Sequence, residues 1–201
     1  MIVAHWKCND NAASTTVIDS VGTANGVYTD NATGVNTSTG SVASGSGVGT
    51  ALDLDTDEWI NIGNAGMTVK SISLWAKPDS VTVVTTNFLD LNGTDYFGQL
   101  NGTIVGAAFA TYVVYVNGEL GTTITTDWNH IVITSTGGGI ASDLDIGRLE
   151  AAGPIYSNGL KDNVMLFDTT LNIDQVKALY NGGRGTEIPA VTDIDRRIQR
   201  R

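Results

Sequence analysis

The chain has 201 residues, 41% of them hydrophobic and only 16% charged, with 24 glycines and a formal net charge of −10. Such a length and apolar content suit one β-sandwich domain, and a helical bundle would need more Leu, Glu and Lys than this chain carries. The acidity repels phosphate backbones, which excludes general nucleic-acid binding, and no run approaches the ~18 apolar residues that would insert a helix into a membrane.

Taken in order, period-two patterns dominate. Residues 2–6 read as an opening strand. Residues 51–55 and 58–62 read as two short strands joined by Asp55-Thr56-Asp57, whose side chains favour turns. Over 69–77, Ile72, Leu74 and Ala76 alternate with Ser71, Ser73 and Trp75, the pattern of a strand with one face in a core. Strands follow at 86–91, 95–101 and 104–109, with Asn92-Gly93 and Asn101-Gly102 as turn signals. Residues 112–116 pass through Asn117-Gly118 into 119–124, and strands at 130–135, 144–147 and 160–167 complete the set. Such short, evenly spaced strands predict a sandwich.

Two segments depart from this pattern. Residues 34–50 hold three valines and one alanine, and predict a long exposed loop or a weak edge hairpin. Residues 172–181 predict a helix: Asn172 caps it, Gln175 completes a capping box, Ile173, Val176, Leu179 and Tyr180 form an apolar stripe, and Gly182 ends it. Beyond Pro189 the chain reads as an extended arm whose Arg196, Arg197, Arg200 and Arg201 make up four of the eleven Lys and Arg residues. The expected organisation is a domain over 1–188 and a basic tail over 189–201.

Several motifs stand in a telling order. They are His5-Trp6-Lys7, the turn Asp19-Ser20-Val21-Gly22, Ala51-Leu52-Asp53-Leu54 with Trp59-Ile60-Asn61-Ile62, and Ser73-Leu74-Trp75-Ala76-Lys77-Pro78. Trp128-Asn129-His130-Ile131-Val132, Asp145-Ile146-Gly147 and Gly159-Leu160-Lys161-Asp162-Asn163-Val164 follow, closed by Leu171, Val176, Leu179 and Tyr180. Together, over residues 3–183, they resemble the laminin G-like domains of the concanavalin A-like lectin/glucanase superfamily. The resemblance implies an all-β fold, a two-sheet antiparallel jelly-roll sandwich with one short C-terminal helix, and places Trp6, Trp75 and Trp128 in its core. The chain departs from the family in three places. The Asn117-Gly118 hairpin precedes the Trp128 strand, Asn163 replaces a second Asp, and residues 86–110 match no family motif.

The resemblance also implies a structural Ca²⁺ carried by Asp19 and Asp162, since Ca²⁺ takes hard oxygens from carboxylates and loop carbonyls. Read from the residues alone, Asp19 starts a turn and Asp162 is a solvated strand residue; both readings stay open. Asp53, Asp55, Asp57 and Glu58 lack EF-hand spacing and read as a solvated edge. Catalysis has no motif. None of the four glutamates (Glu58, Glu119, Glu150, Glu187) is followed two residues later by Asp, as the glucanase pattern requires, and there is no Gly-x-Ser-x-Gly elbow. His5 and His130 read as hydrogen-bonded strand residues, and Cys8, the only cysteine, as buried and inert.

Aromatic stacking remains as a means of recognition. Trp59, Tyr96, Phe97 and Tyr156 lie near turns, and Tyr96 with Asp95 and Asn92 is the expected glycan contact. The sequence therefore predicts a non-catalytic binding or display domain, carbohydrate-binding or adhesive, with a glycan or cell-surface polysaccharide as partner. The alternative is a purely structural virion decoration or fibre subunit. A single module starting at Met1, without signal peptide or disulfide, suits a phage protein folded in the host cytoplasm and carried on the virion surface. The other expectation is an extracellular protein whose leader is absent from this chain. In the virion setting the arginine tail would dock against an acidic capsid or virion subunit.

Overall fold

A computed structural model describes residues 1–31, 35–44, 49–82, 85–107, 109, 111–150 and 153–185. The tail arginines Arg196, Arg197, Arg200 and Arg201 lie outside them. The first strands are β1 (Ile2–Trp6), β2 (Thr16–Val17), β3 (Gly26–Asp30), β4 (Ser41–Ala43), β5 (Thr50–Leu54) and β6 (Glu58–Gly63). Next come β7 (Met67–Pro78), β8 (Thr86–Asp90), β9 (Tyr96–Leu100), β10 (Thr103–Ala107), β11 (Tyr112–Val116) and β12 (Glu119–Leu120). The last are β13 (Asn129–Ala141), β14 (Leu144–Ile146), β15 (Arg148–Leu149), β16 (Ile155–Tyr156) and β17 (Gly159–Phe167), followed by the helix α1 (Ile173–Tyr180).

These strands form two large antiparallel sheets and a separate two-stranded one, β15-β16. One runs β12-β11-β13-β7-β17-β5-β4, with β1 also on β17; the other runs β10-β9-β8-β14-β6-β3-β2. Strand β17 shares one edge between two partners: β5 pairs with its start (residues 159–161) and β1 with its end (residues 164–167). Alternation aims Trp6, Leu52, Ile72, Leu74, Ile131, Ile133 and Leu166 from the first sheet against Ile60, Leu89, Phe97 and Ile146 from the second. The expected two-sheet sandwich with one short C-terminal helix is the fold observed.

The helix starts as its residues dictate. The Asn172 side chain accepts from the Gln175 amide while the Gln175 side chain accepts from the Asn172 amide, a complete capping box. It ends one residue earlier than Gly182 suggested, with Asn181 in the left-handed region. Its stripe adds a layer that alternation in β7 does not reveal. Leu171, Val176 and Leu179 pack on Val132, Met165 and Phe167, outside the first sheet. Consequently Ser71 and Ser73, on the face of β7 opposite Ile72 and Leu74, are also buried, beneath the helix, as is Trp75, whose burial the resemblance implied. Trp75 stacks on His130 and Tyr180 there.

Three expectations need correction. Trp128 is only half-buried, because it precedes β13 rather than lying within it. Strand β13 extends past residue 135 to Ala141, with an irregularity between Thr134 and Gly139 where the glycines had suggested a turn. Within 34–50 the edge-hairpin alternative holds: β4 pairs with β5, and Thr37 is buried with its hydroxyl bonded to Ala12.

Candidate functional site

At Gly147 the chain leaves β14 with φ +88, a value that favours glycine, and crosses over the outer face of the second sheet. Here the β15–β16 hairpin forms. Arg148 pins it: Nε and a terminal nitrogen donate to Asp145, another bond reaches Glu150, and the guanidinium lies 4.2 Å from the Trp59 ring centroid. Such a cation over an indole face is attractive beyond its ion pairs. Asn87 donates to the Arg148 carbonyl at 2.8 Å and ties the hairpin to β8.

The hairpin sets Tyr156 beside Trp59, with ring centroids 5.9 Å apart, and the Asn31 amide donates to the Tyr156 hydroxyl. Tyr156 is half-buried, so part of its ring remains available. Beside it opens a cavity of about 350 Å³ lined by Asp79, Thr86, Pro154, Ile155, Tyr156 and Asn158. The Thr86 hydroxyl oxygen is buried behind this lining and has no hydrogen-bond partner. A second cavity of about 370 Å³ is lined by Asp30, Asn31, Thr56, Asp57 and Glu58. Asn31 to Tyr156 and Asn158 to Thr56, at 3.0 and 3.1 Å, join the walls of the two. Asn158 is flanked by Ser157 and Gly159, whose carbonyls accept from the fully buried Lys161 ammonium.

The expected glycan triad lies elsewhere, on the β8–β9 turn, and its polar groups build that turn. Asn92 Oδ1 accepts from the backbone of Thr94 and Asp95, and its amide donates to Asp95 and to the Ile140 carbonyl. Tyr96 is half-buried and forms none of the ring pairs of the cavity. The structure thus joins Asn92 to Asp95 within one turn and lines the two cavities beside Tyr156 with other residues.

Asp19 and Asp162 are 5% and 1% exposed. Asp19 accepts four backbone N–H groups, those of His5, Val21, Gly22 and Ala24, at 3.0–3.1 Å. Three of these donors share Oδ1 and one reaches Oδ2, so backbone N–H groups take up most of the Asp19 carboxylate. Asp162 accepts the Ser44 hydroxyl at 2.5 Å. Among the described residues no group of three or more His, Cys, Asp and Glu is arranged to hold a metal.

One pair of carboxylates invites a catalytic reading. Asp90 and Asp145 face each other in register on β8 and β14. Burial raises both carboxyls, Asp145 to about 6, although Arg148 pulls it back down. Each is 1% exposed. Asp145 is held by Arg148, and Asp90 accepts the amides of Asn92 and Gly93. Neither lines the cavities beside Tyr156.

No protein-family model and no curated protein matches the sequence. Solved structures do. Domain 4 of the GH43 extracellular arabinanase AbnA from Geobacillus stearothermophilus, in complex with arabinotriose, aligns with TM-score 0.58 at 18% identity over 88% of this chain and 97% of that domain. A mutant of Trypanosoma rangeli sialidase displaying trans-sialidase activity aligns with TM-score 0.59 at 15% identity, covering 92% of this chain and 34% of the sialidase. The binding domain of botulinum neurotoxin serotype D/C gives TM-score 0.53 at 12% identity, covering 90% and 52%. These structures share the β-sandwich fold. The chain therefore spans about a third to a half of the sialidase and neurotoxin chains, and nearly the whole arabinanase domain. At these identities the likeness is one of fold.

Most of the cavity went unremarked in the sequence. Tyr156 was noted as an aromatic near a turn, but Asp79, Thr86, Asn158 and Asn31 were not. Tyr156-Ser157-Asn158-Gly159, an aromatic and an amide leading into a glycine at φ +103, is the local signal that marks this loop.

Proposed function

We propose that the chain is a non-catalytic carbohydrate-binding domain and that the cavity beside Tyr156 receives a sugar ring. The observation that carries this reading is the combination of a half-buried Tyr156, backed by Trp59, with Asn158 and Asp79 around one concavity. Stacking surface beside a few fixed polar groups is what an uncharged ring of hydroxyls needs. The Asp90–Asp145 pair, engaged and enclosed, supports binding without catalysis. The sandwich likeness to a domain solved with arabinotriose is in keeping with this reading.

The test is calorimetric titration with oligosaccharides drawn from a glycan array. Tyr156→Ala is expected to weaken binding about tenfold or more, since losing an aromatic anchor costs about 1.4 kcal/mol or more. Tyr96→Ala is expected to leave affinity unchanged. The opposite pattern would return the site to the β8–β9 turn, and no binding on the array would remove the reading.

A further inference from the structure

We infer that the cavity beside Tyr156 selects uncharged saccharides and discriminates against acidic ones such as uronates and sialosides. This rests on the reading of that cavity as a glycan site, and it deepens that reading by naming a ligand class. The argument is the distribution of charge around it. Asp79 lines the cavity itself; Asp30, Asp57 and Glu58 line the adjoining one. Glu58 continues into a third, of about 160 Å³, with Asp53 and Asp55.

These carboxylates feel one another. Burial raises the Asp53 carboxyl, the charges of Asp55, Asp79 and Glu58 raise it further, and that of Lys161 lowers it. The cations of this end offset the rim only in part. Arg148 is paired with Asp145 and Glu150, and the Lys161 ammonium, whose charge couples to Asp79 and Asp53, is fully buried and bonded to two carbonyls. Lys77, exposed on β7, precedes Asp79 by two residues and stands against six carboxylates.

A ligand carboxylate held ~6 Å from a fixed one loses about threefold in affinity even at the dielectric of water. Two or three such neighbours make the penalty about tenfold or more at low salt, and screening over a Debye length of about 8 Å at physiological salt reduces it. A neutral sugar feels none of this. Its hydroxyls instead gain carboxylate acceptors, which form the stronger class of hydrogen bond.

The experiment uses the full chain on an array of neutral and acidic glycans. Calorimetry then follows with matched pairs, neutral trisaccharides (arabinotriose, galactotriose) against trigalacturonic acid and 3′-sialyllactose, at 20 and 300 mM NaCl. Neutral ligands are expected to bind about tenfold more tightly than acidic ones at low salt, with the ratio narrowing at high salt. Asp79→Asn is expected to narrow the same ratio at low salt. Asp30→Asn with Asp57→Asn tests the adjoining cavity should the first variant fold poorly. Acidic ligands binding as well as neutral ones, or a ratio unmoved by salt and by all three substitutions, overturns the inference while leaving the glycan site intact. Silence of every glycan, or binding of a penta-arginine peptide alone, overturns both.

Discussion

His130 offers a direct measure of the energy held in the helix-covered face of the first sheet. It is 1% exposed, its Nε2 is hydrogen-bonded to Ser73 at 2.9 Å, and the rings of Trp75 and Tyr180 lie 5.1 and 5.9 Å away. Burial lowers it from 6.5 to about 3. Folded His130 therefore stays neutral at pH 5, while the unfolded chain takes up a proton below 6.5. With the folded value depressed, the stabilisation stands above pH 6.5 and is lost as pH falls toward 3. The loss is about 1.4 kcal/mol per pH unit, or about 2 kcal/mol at pH 5. Asp145 works the other way, because its raised carboxyl makes the fold bind a proton below about 6. The two effects separate in a comparison with His130→Gln, which keeps a neutral polar side chain but cannot titrate. Urea denaturation of both proteins at pH 7.5 and pH 5 should show the stability difference between them shifting by about 2 kcal/mol against the wild type on acidification. A difference that does not change with pH would refute the burial of a neutral imidazole under the helix.

Burial lowers Lys161 to about 7; from there up to 10.5 the unfolded chain holds a proton that the fold has released. Wild-type stability in guanidinium should thus rise by about 2 kcal/mol between pH 7 and pH 9, and Lys161→Met should abolish the rise. Asp19→Ala leaves four backbone N–H groups without their acceptor, and should cost about 3 to 5 kcal/mol by chemical denaturation. Adding CaCl₂ or EDTA should leave the wild-type Tm unmoved; a calcium-dependent rise lost in Asp19→Ala would contradict the donor set described here. Burial, followed by the nearby Asp162 and Asp10 charges, pushes the Cys8 thiol up. A disulfide reagent should leave the native protein unlabelled at pH 8 and react with one thiol on unfolding.

Much of the fold was legible because alternation and capping are properties of neighbouring residues. The long strand β7 and the box formed by Asn172 and Gln175 need no distant partner to be recognised. The two-residue strands β2 and β16, and the three-residue β4, have no such signature. Their bonds come from β3, β15 and β5, and they exist only where those partners lie. The same limit hid the burial of Ser71 and Ser73, which depends on a helix about 100 residues further along.

The candidate site divides in the same way. By itself the sequence determined the alternating layers, the helix with its cap and the supply of turn-side aromatics and amides, because each is set by residues a few positions apart. Asn92 with Tyr96 and Asn158 with Tyr156 are alike at that level. Only the tertiary structure sets them apart. Hydrogen bonds to Asp95 and to Ile140 on another strand consume Asn92, whereas Asp79, Thr86 and Tyr156 arrive from separate segments to line one concavity. A polar group's freedom to bind depends on which distant groups have already taken its hydrogen bonds, and that is settled by packing alone.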